Sequence, residues 1–197
     1  MAPIVIRAAV PEDRDALYEI CRRTGDAGED ASGLYEDPDL LGDLWVGPYL
    51  VLEPELAFVG VDDGGVAGYV LGAADTAAFE AACEQRWWPE LRVRHPEPPA
   101  SGDLTPDEEL HRWIHHPPST PATVLAEYPA HLHIDLLPRV QSRGLGRRLI
   151  DTLLAILRDR GVPGVHLGVA AANRRAIGFY RHLGFTRLGG DRYGLRL

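Results

Sequence analysis

The sequence has no lysine. All 20 of its basic residues are arginine, and Asn173 is its only asparagine. The scarcity of both residues most simply reflects a GC-rich coding bias, yet it excludes chemistry. A Schiff-base lysine cannot exist here, no lysine side chain is available for self-acetylation, and a GK[ST] phosphate loop is absent. The two cysteines, Cys21 and Cys83, make neither a ligand motif nor a disulfide framework, so reduced thiols are expected. No apolar run approaches the roughly 20 residues that span a bilayer. The start, MAPIVIRAAVPEDRD, has no basic stretch leading into a long apolar one. These features predict a cytoplasmic protein with no membrane partner.

A length of 197 residues suits a single domain, and it buries a core without disulfides or metal. The net charge of −9 is unevenly spread. Residues 139–197 hold 12 arginines against Asp151, Asp159 and Asp191, while residues 1–138 are strongly acidic. The basic end suits an anion such as a phosphate and the acidic part suits a cation. An overall acidic chain argues against nucleic acid.

Alternating and helical hydrophobic patterns set out the elements. Residues 4–8 read as a strand, and Pro11-Glu12-Asp13 opens a helix. A short amphipathic helix is expected around Leu40–Trp45. Residues 56–61 and 66–73 flank Asp62-Asp63-Gly64-Gly65, a hairpin signal. A helix capped by Asp75 or Thr76 is expected to run to about Trp88 and stop at Pro89. Residues 90–122 are rich in proline and read as an insertion, a lid or a decorated loop, with a helix over Pro106–His116 capped by Thr105. Residues 131–136 alternate strictly as a strand. A long helix over 144–160 ends at Gly161, followed by a strand at 165–170 and a helix from Asn173 to Leu183. Residues 185–188 and 193–197 close the chain as strands, either within the subunit or paired with a second chain as a homodimer. The order predicts a mixed α/β (α+β) sheet protein.

The chemistry concentrates in Gln141-Ser-Arg-Gly144-Leu145-Gly146-Arg-Arg, between a strand and a long helix. A helix start presents unpaired N–H groups and a positive dipole end. Glycines let an anion approach the backbone, and Arg139, Arg143, Arg147 and Arg148 add charge. This is a pyrophosphate-binding arrangement. A dinucleotide fingerprint lacks its third glycine here, because Leu149 stands in its place.

About thirty residues later comes Asn173-x-x-Ala176-x-x-Phe179-Tyr180-x-x-x-Gly184-Phe185. With Q-x-x-G-x-G at Gln141–Gly146, these motifs resemble the GNAT superfamily of N-acetyltransferases. The HLHIDLLP strand, the preceding Tyr128-Pro129 and the proline-rich insertion are similar to the acetyltransferase-like domain of O-GlcNAcases. The motifs cover about residues 131–188, and the element order extends the likeness over the chain. The resemblance implies a GNAT fold: a mixed, mostly antiparallel central sheet flanked by helices, with the helical insertion before the fourth strand.

It also implies acetyl-CoA as donor, an amine acceptor and direct transfer in a ternary complex, with no metal. Backbone amides of Arg143, Gly144, Leu145, Gly146 and Arg147 would hold the pyrophosphate. Leu136 and Leu137 would pair with pantetheine through their backbone, Gln141 belongs to the same loop motif, and Asn173 matches a contact to the cofactor arm. Tyr180 matches the general acid. The chemistry agrees, since a phenol can protonate a departing thiolate. Asn173 and Tyr180 are two helical turns apart and can share a groove.

The base is less defined. His131, His133 and Asp135 share one strand face, which suits a base or relay through His133 and Asp135. The resemblance instead puts a strand base an even number of residues before Leu136, at Ala130 or Leu132, which cannot act. The alternative is that the His/Asp face packs against a helix. Glu127 and Asp75 are further candidates. His111, His115 and His116 on the insertion helix read as surface residues rather than a metal site, and Trp87 and Trp88 as anchors of the insertion. A non-catalytic acetyl-CoA-binding or protein-interaction module is the alternative function.

Overall fold

The computed structural model describes residues 3–197. Its frame is a seven-stranded sheet in the order β1-β2-β3-β4-β5-β7-β6. The strands are β1 (Val5–Ala8), β2 (Ala57–Asp62), β3 (Gly65–Ala73), β4 (Ala130–Leu136), β5 (Gly164–Gly168), β6 (Thr186–Gly189) and β7 (Arg192–Arg196). Neighbours run antiparallel except β4 and β5. This parallel pair joins only at Ala130 with Val165 and His131 with His166. Beyond that point the two strands part, while β4 keeps β3 to Leu136 and β5 keeps β7 to Gly168. The sheet therefore opens into a wedge at its centre.

One face carries α8 (Leu145–Asp159) and α9 (Arg174–His182). The stripe Leu145, Leu149, Ile150, Leu153, Leu154 and Leu157 is buried against the sheet. At about 1.5–3 kcal/mol for each buried side chain, this stripe is a principal stabiliser of the fold. Gly60 and Gly72 are the strand positions over which it fits. A Cβ would lie 2.7 Å from Leu145 Cδ1 at Gly60 and 2.9 Å from Leu153 Cδ2 at Gly72.

The other face carries α1 (Arg14–Arg22), α2 (Leu40–Trp45), α3 (Gly47–Leu52), α4 (Thr76–Arg86) and α5 (Trp88–Arg94). The expected helix through Trp88 breaks at Trp87, and Pro89 opens α5 instead of stopping α4. Proline lacks the N–H that a first helical turn leaves unpaired, so it starts a helix as readily as it ends one. Pro48 explains the unforeseen α3 in the same way. The strand expected at 165–170 spans Gly164–Gly168, one residue earlier at its start and two shorter at its end.

The insertion holds α6 (Pro106–His115), with the expected Thr105 cap completed by Glu108, and a short α7 (Ala122–Leu125). Buried Asp43 anchors it to the body. Its carboxylate accepts from Tyr18 Oη at 2.8 Å and from Arg94 Nη2 at 2.8 Å, and its carbonyl accepts from Trp87 Nε1 at 2.9 Å. Trp88 lies edge-on to Trp113 of α6, with ring centres 6.2 Å apart. Trp87 and Trp88 thus act as anchors. No helix among the described residues is long and apolar enough to cross a membrane.

Candidate active site

The wedge between β4 and β5 leads into an open cavity of about 1080 Å³. Leu137 donates from its N–H to the Ala67 carbonyl at 2.8 Å, which sets the hydrogen-bonding phase of β4. By the two-residue period, the peptide groups of His133 and Asp135 turn to β3, and those of Ile134 and Leu136 turn into the wedge. The Leu136 carbonyl accepts from Gln141 Nε2 at 2.8 Å, which leaves the Leu136 N–H and the Ile134 peptide groups facing the gap. Leu137 differs from expectation. Its N–H serves Ala67 and its carbonyl accepts from Val140, so it has no free backbone group to pair with a ligand.

The loop after β4 curls tightly before α8. Ser142 has φ 57° and Gly144 has φ 76°, two left-handed residues that curl the chain before α8. The first helical bond is Arg148 N–H to the Gly144 carbonyl. The N–H groups of Arg143, Gly144, Leu145, Gly146 and Arg147 donate to no acceptor among the described residues. Gly146 must be small for packing, since a Cβ would lie 3.1 Å from both Leu136 Cδ1 and Phe179 Cζ.

The arginines divide. Arg148 is spent on the Ile4 carbonyl and Arg139 on Asp62, so neither supplies the expected charge. Arg147 lies 3.5 Å from Asp151 in an exposed pair, and Arg143 is in no ion pair among the described residues. The Gln141 side chain is occupied as well, because Arg175 of α9 donates to its Oε1. Gln141 therefore braces the loop between β4 and α9.

Asn173 caps α9 by accepting the Ala176 N–H at 3.0 Å. Its amide nitrogen lies against Gly28, where a Cβ would approach to 2.8 Å. Gly28 has φ 95° and Ala27 φ 50°, so the loop between α1 and α2 turns tightly here and lines the cavity. Tyr180, two turns along α9, also lines the cavity. Burial, and then the charge of Asp135, push its phenol well above the usual range, so it stays protonated.

The odd face of β4 points into the cavity, and the even positions Ala130 and Leu132 pack toward α8. His131 is fully engaged. Thr76 Oγ1 donates to the Pro129 carbonyl at 2.6 Å and therefore accepts from His131 Nδ1 at 2.8 Å. His131 Nε2 accepts from Tyr49 Oη at 2.8 Å. Burial pushes this imidazole well below its usual pKa, so it is a neutral structural residue.

His133 has no hydrogen-bond partner among the described residues, and burial lowers its pKa to about 4. Asp135 accepts from Tyr69 Oη at 2.5 Å. Burial raises its pKa to about 6, against the pull of the Tyr69 hydrogen bond. Both groups are proton acceptors at neutral pH.

The remaining base candidates are committed elsewhere. Asp75 caps α4 through the Ala78 N–H at 3.0 Å, and Glu127 pairs with Arg196. On the insertion, His115 Nε2 donates to the His95 carbonyl at 2.9 Å, His116 pairs with Glu97, and the His111 ring lies tilted against His95 with centres 4.8 Å apart. No group of three potential metal-ligating side chains assembles among the described residues.

The far wall of the cavity was not legible in the sequence. It combines Trp45, Tyr49 and Phe79 with Trp113 and residues 117–120 of the insertion. Thr120 ties the insertion to α4 through Glu80 Oε1, at 3.0 Å from its N–H and 2.8 Å from its hydroxyl.

A seven-stranded mixed sheet, splayed between β4 and β5 and flanked by helices on both faces, is a GNAT fold. The acetyltransferase (GNAT) family model matches residues 15–185, and the chain belongs to that family. It is similar to the crystal structure of SsHAT, with TM-score 0.90 and 43% identity over 98% of each chain. It is 31% identical to the Protein O-GlcNAcase of Rattus norvegicus over 182 residues, 91% of this chain and 20% of that protein. The chain thus spans about a fifth of that relative's length. It is 32% identical to the mycothiol acetyltransferase of Nocardia farcinica over 169 residues, 73% of this chain and 52% of that one.

Proposed function

We propose that the chain, as one catalytic unit, transfers an acetyl group from acetyl-CoA to an amine by direct attack in a ternary complex. The observation that carries this reading is the convergence of the wedge, Tyr180 and Asp135 on one cavity, with the amide loop following β4. Family membership and the likeness to a mycothiol acetyltransferase support it.

The residues fit the donor. The free N–H groups of Arg143 to Arg147, with the Arg143 guanidinium, would hold the pyrophosphate at the start of α8. The wedge-facing peptide groups of Ile134 and Leu136 would pair with the pantetheine arm as an added strand, and Asn173 borders that path. Acetyl-CoA supplies a thioester carbonyl and a thiolate leaving group.

Asp135 draws the ammonium group of the acceptor into the cavity. The ammonium first passes one proton by way of His133 to water, which frees the nitrogen lone pair. As the carbon–nitrogen bond forms, the attacking nitrogen becomes acidic and Asp135 takes its second proton. Tyr180, held protonated, gives its proton to the sulfur as the carbon–sulfur bond breaks. His133 sits two residues from Asp135, about 6.6 Å along the strand, and serves as a relay toward the acceptor side.

Calorimetric titration with acetyl-CoA, with NADH as comparator, tests the donor site. Release of CoA thiol in an amine screen tests the transfer. Micromolar acetyl-CoA binding with silent NADH, followed by amine-dependent thiol release, is the expected result. Absence of acetyl-CoA binding at millimolar concentration would favour the non-catalytic reading.

A further inference from the structure

The acceptor half of the cavity is walled by rings. Trp45 closes α2 and meets Trp113 of α6 edge-on, with centres 4.6 Å apart. Tyr49 of α3 stacks on Phe79 of α4 at 4.6 Å. His133 lies between the two pairs, 5.7 Å from Trp45 and 5.6 Å from Tyr49. The rings come from four separate helices and turn toward one space, so the wall is more than a local sequence pattern.

The hydroxyls of Tyr49 and Thr76 and the charged groups of Glu84 and Arg92 are occupied, whereas the indole N–H groups of Trp45 and Trp113, the Ser119 hydroxyl and one Glu80 oxygen make no hydrogen bond among the described residues. The Tyr49 hydroxyl serves His131 and the Thr76 hydroxyl serves Pro129. Glu80 takes both donors of Thr120. Glu84 is paired with Arg92, whose Nε also serves the Ile114 carbonyl at 3.1 Å. His133 has no partner, and Asp135 has one oxygen beyond the Tyr69 bond.

This inventory selects among amines. A flat apolar body finds ring faces on several sides, and its ammonium group finds both those faces and a carboxylate. A carboxylate on the acceptor would meet the charge of Asp135 and no free cation in this half. The other arginine at the cavity, Arg192, lies on β7 in register with Gly168, beyond β5 from the ring wall. The hydroxyls of an amino sugar would face ring surfaces between Trp45, Tyr49, Phe79 and Trp113. We infer that the acceptor is a primary arylalkylamine without a carboxylate, its ring held by Trp45, Tyr49 and Trp113 and its nitrogen directed to Asp135. The inference rests on the acetyl-transfer reading above and narrows its substrate class.

The test has two arms. In the first, thiol release with acetyl-CoA is compared for 2-phenylethylamine, tryptamine, phenylalanine, n-butylamine and glucosamine. The two arylalkylamines are expected to exceed the others in kcat/KM by roughly 10-fold or more. Trp113→Leu is expected to raise their KM by a similar factor without changing acetyl-CoA affinity, and Trp113→Phe to restore most of the loss. In the second, calorimetry measures binding of 2-phenylethylamine, phenylalanine and glucosamine to the protein alone. Selective binding of 2-phenylethylamine, weakened by Trp113→Leu, is expected there even if no transfer occurs. Glucosamine or phenylalanine matching the arylalkylamines in either arm would overturn the inference while leaving acetyl transfer intact. An unchanged KM and amine affinity in a folded Trp113→Leu protein would overturn it too. Failure to bind acetyl-CoA would instead sink the acetyl-transfer reading, and the second arm would still judge the ring wall.

Discussion

The Tyr69 hydroxyl lies 2.5 Å from Asp135 Oδ2, at the floor of the cavity. That bond favours the charged carboxylate, whereas burial opposes it and sets the pKa at about 6. Activity that needs the carboxylate should therefore rise with pH through about 6. Tyr69→Phe removes the favouring bond and should move this inflection upward, as read from kcat/KM against pH. Stability should show the opposite slope. The folded protein holds the Asp135 proton more tightly than the unfolded chain does, so this group loses stability as pH rises through its folded pKa. Asp135→Asn should remove that part of the decline in chemical unfolding curves.

Tyr180→Phe keeps the ring that packs beside Phe185 and removes the proton donor. Turnover is expected to fall by about 100-fold or more, the usual scale of a lost general acid. Acetyl-CoA affinity should stay nearly unchanged by calorimetry. Unchanged turnover would remove Tyr180 from the mechanism.

Gly144 adopts φ 76° in open space, so a side chain there meets no neighbour but strains the backbone. Gly144→Val should force the loop out of its curl at about 1–2 kcal/mol. Acetyl-CoA should then bind on the order of tenfold more weakly, since 1.4 kcal/mol is one decade. A valine variant with wild-type affinity would mean that the amide loop does not hold the pyrophosphate.

Thr76 makes three hydrogen bonds to two partners through its hydroxyl and its N–H: two to the Pro129 carbonyl and one to His131. Thr76→Val leaves a buried imidazole N–H without an acceptor. A loss of about 1–3 kcal/mol is expected from urea unfolding. His131 should keep its place in structure alone, so Michaelis parameters measured well below the unfolding midpoint should change little.

Local signals read well from the sequence. The glycine loop into α8 and the helix start at Asn173 depend on residues within a few positions, and the strand HLHIDL shows its period directly. Proline was ambiguous, because Pro48 and Pro89 start helices in a chain where a stop was equally consistent. The facing of β4 needed its register with β3, which no single strand encodes. The chain alone could not show that Asp135 and His133 open to the cavity while His131 is tied to Thr76. The ring wall was hidden for the same reason, since Trp45, Tyr49, Phe79 and Trp113 meet only after four helices pack.

The brief meeting of β4 and β5 has a consequence for how the molecule opens. Strands β1 to β4 hold together through long antiparallel ladders, as do β5 to β7, yet the two blocks share only the pairs Ala130–Val165 and His131–His166. Amide protons should therefore exchange with deuterium as two cooperative units, one on each side of the wedge. A ligand strand laid into the gap would bridge them, slowing exchange in both blocks together and merging two unfolding events into one.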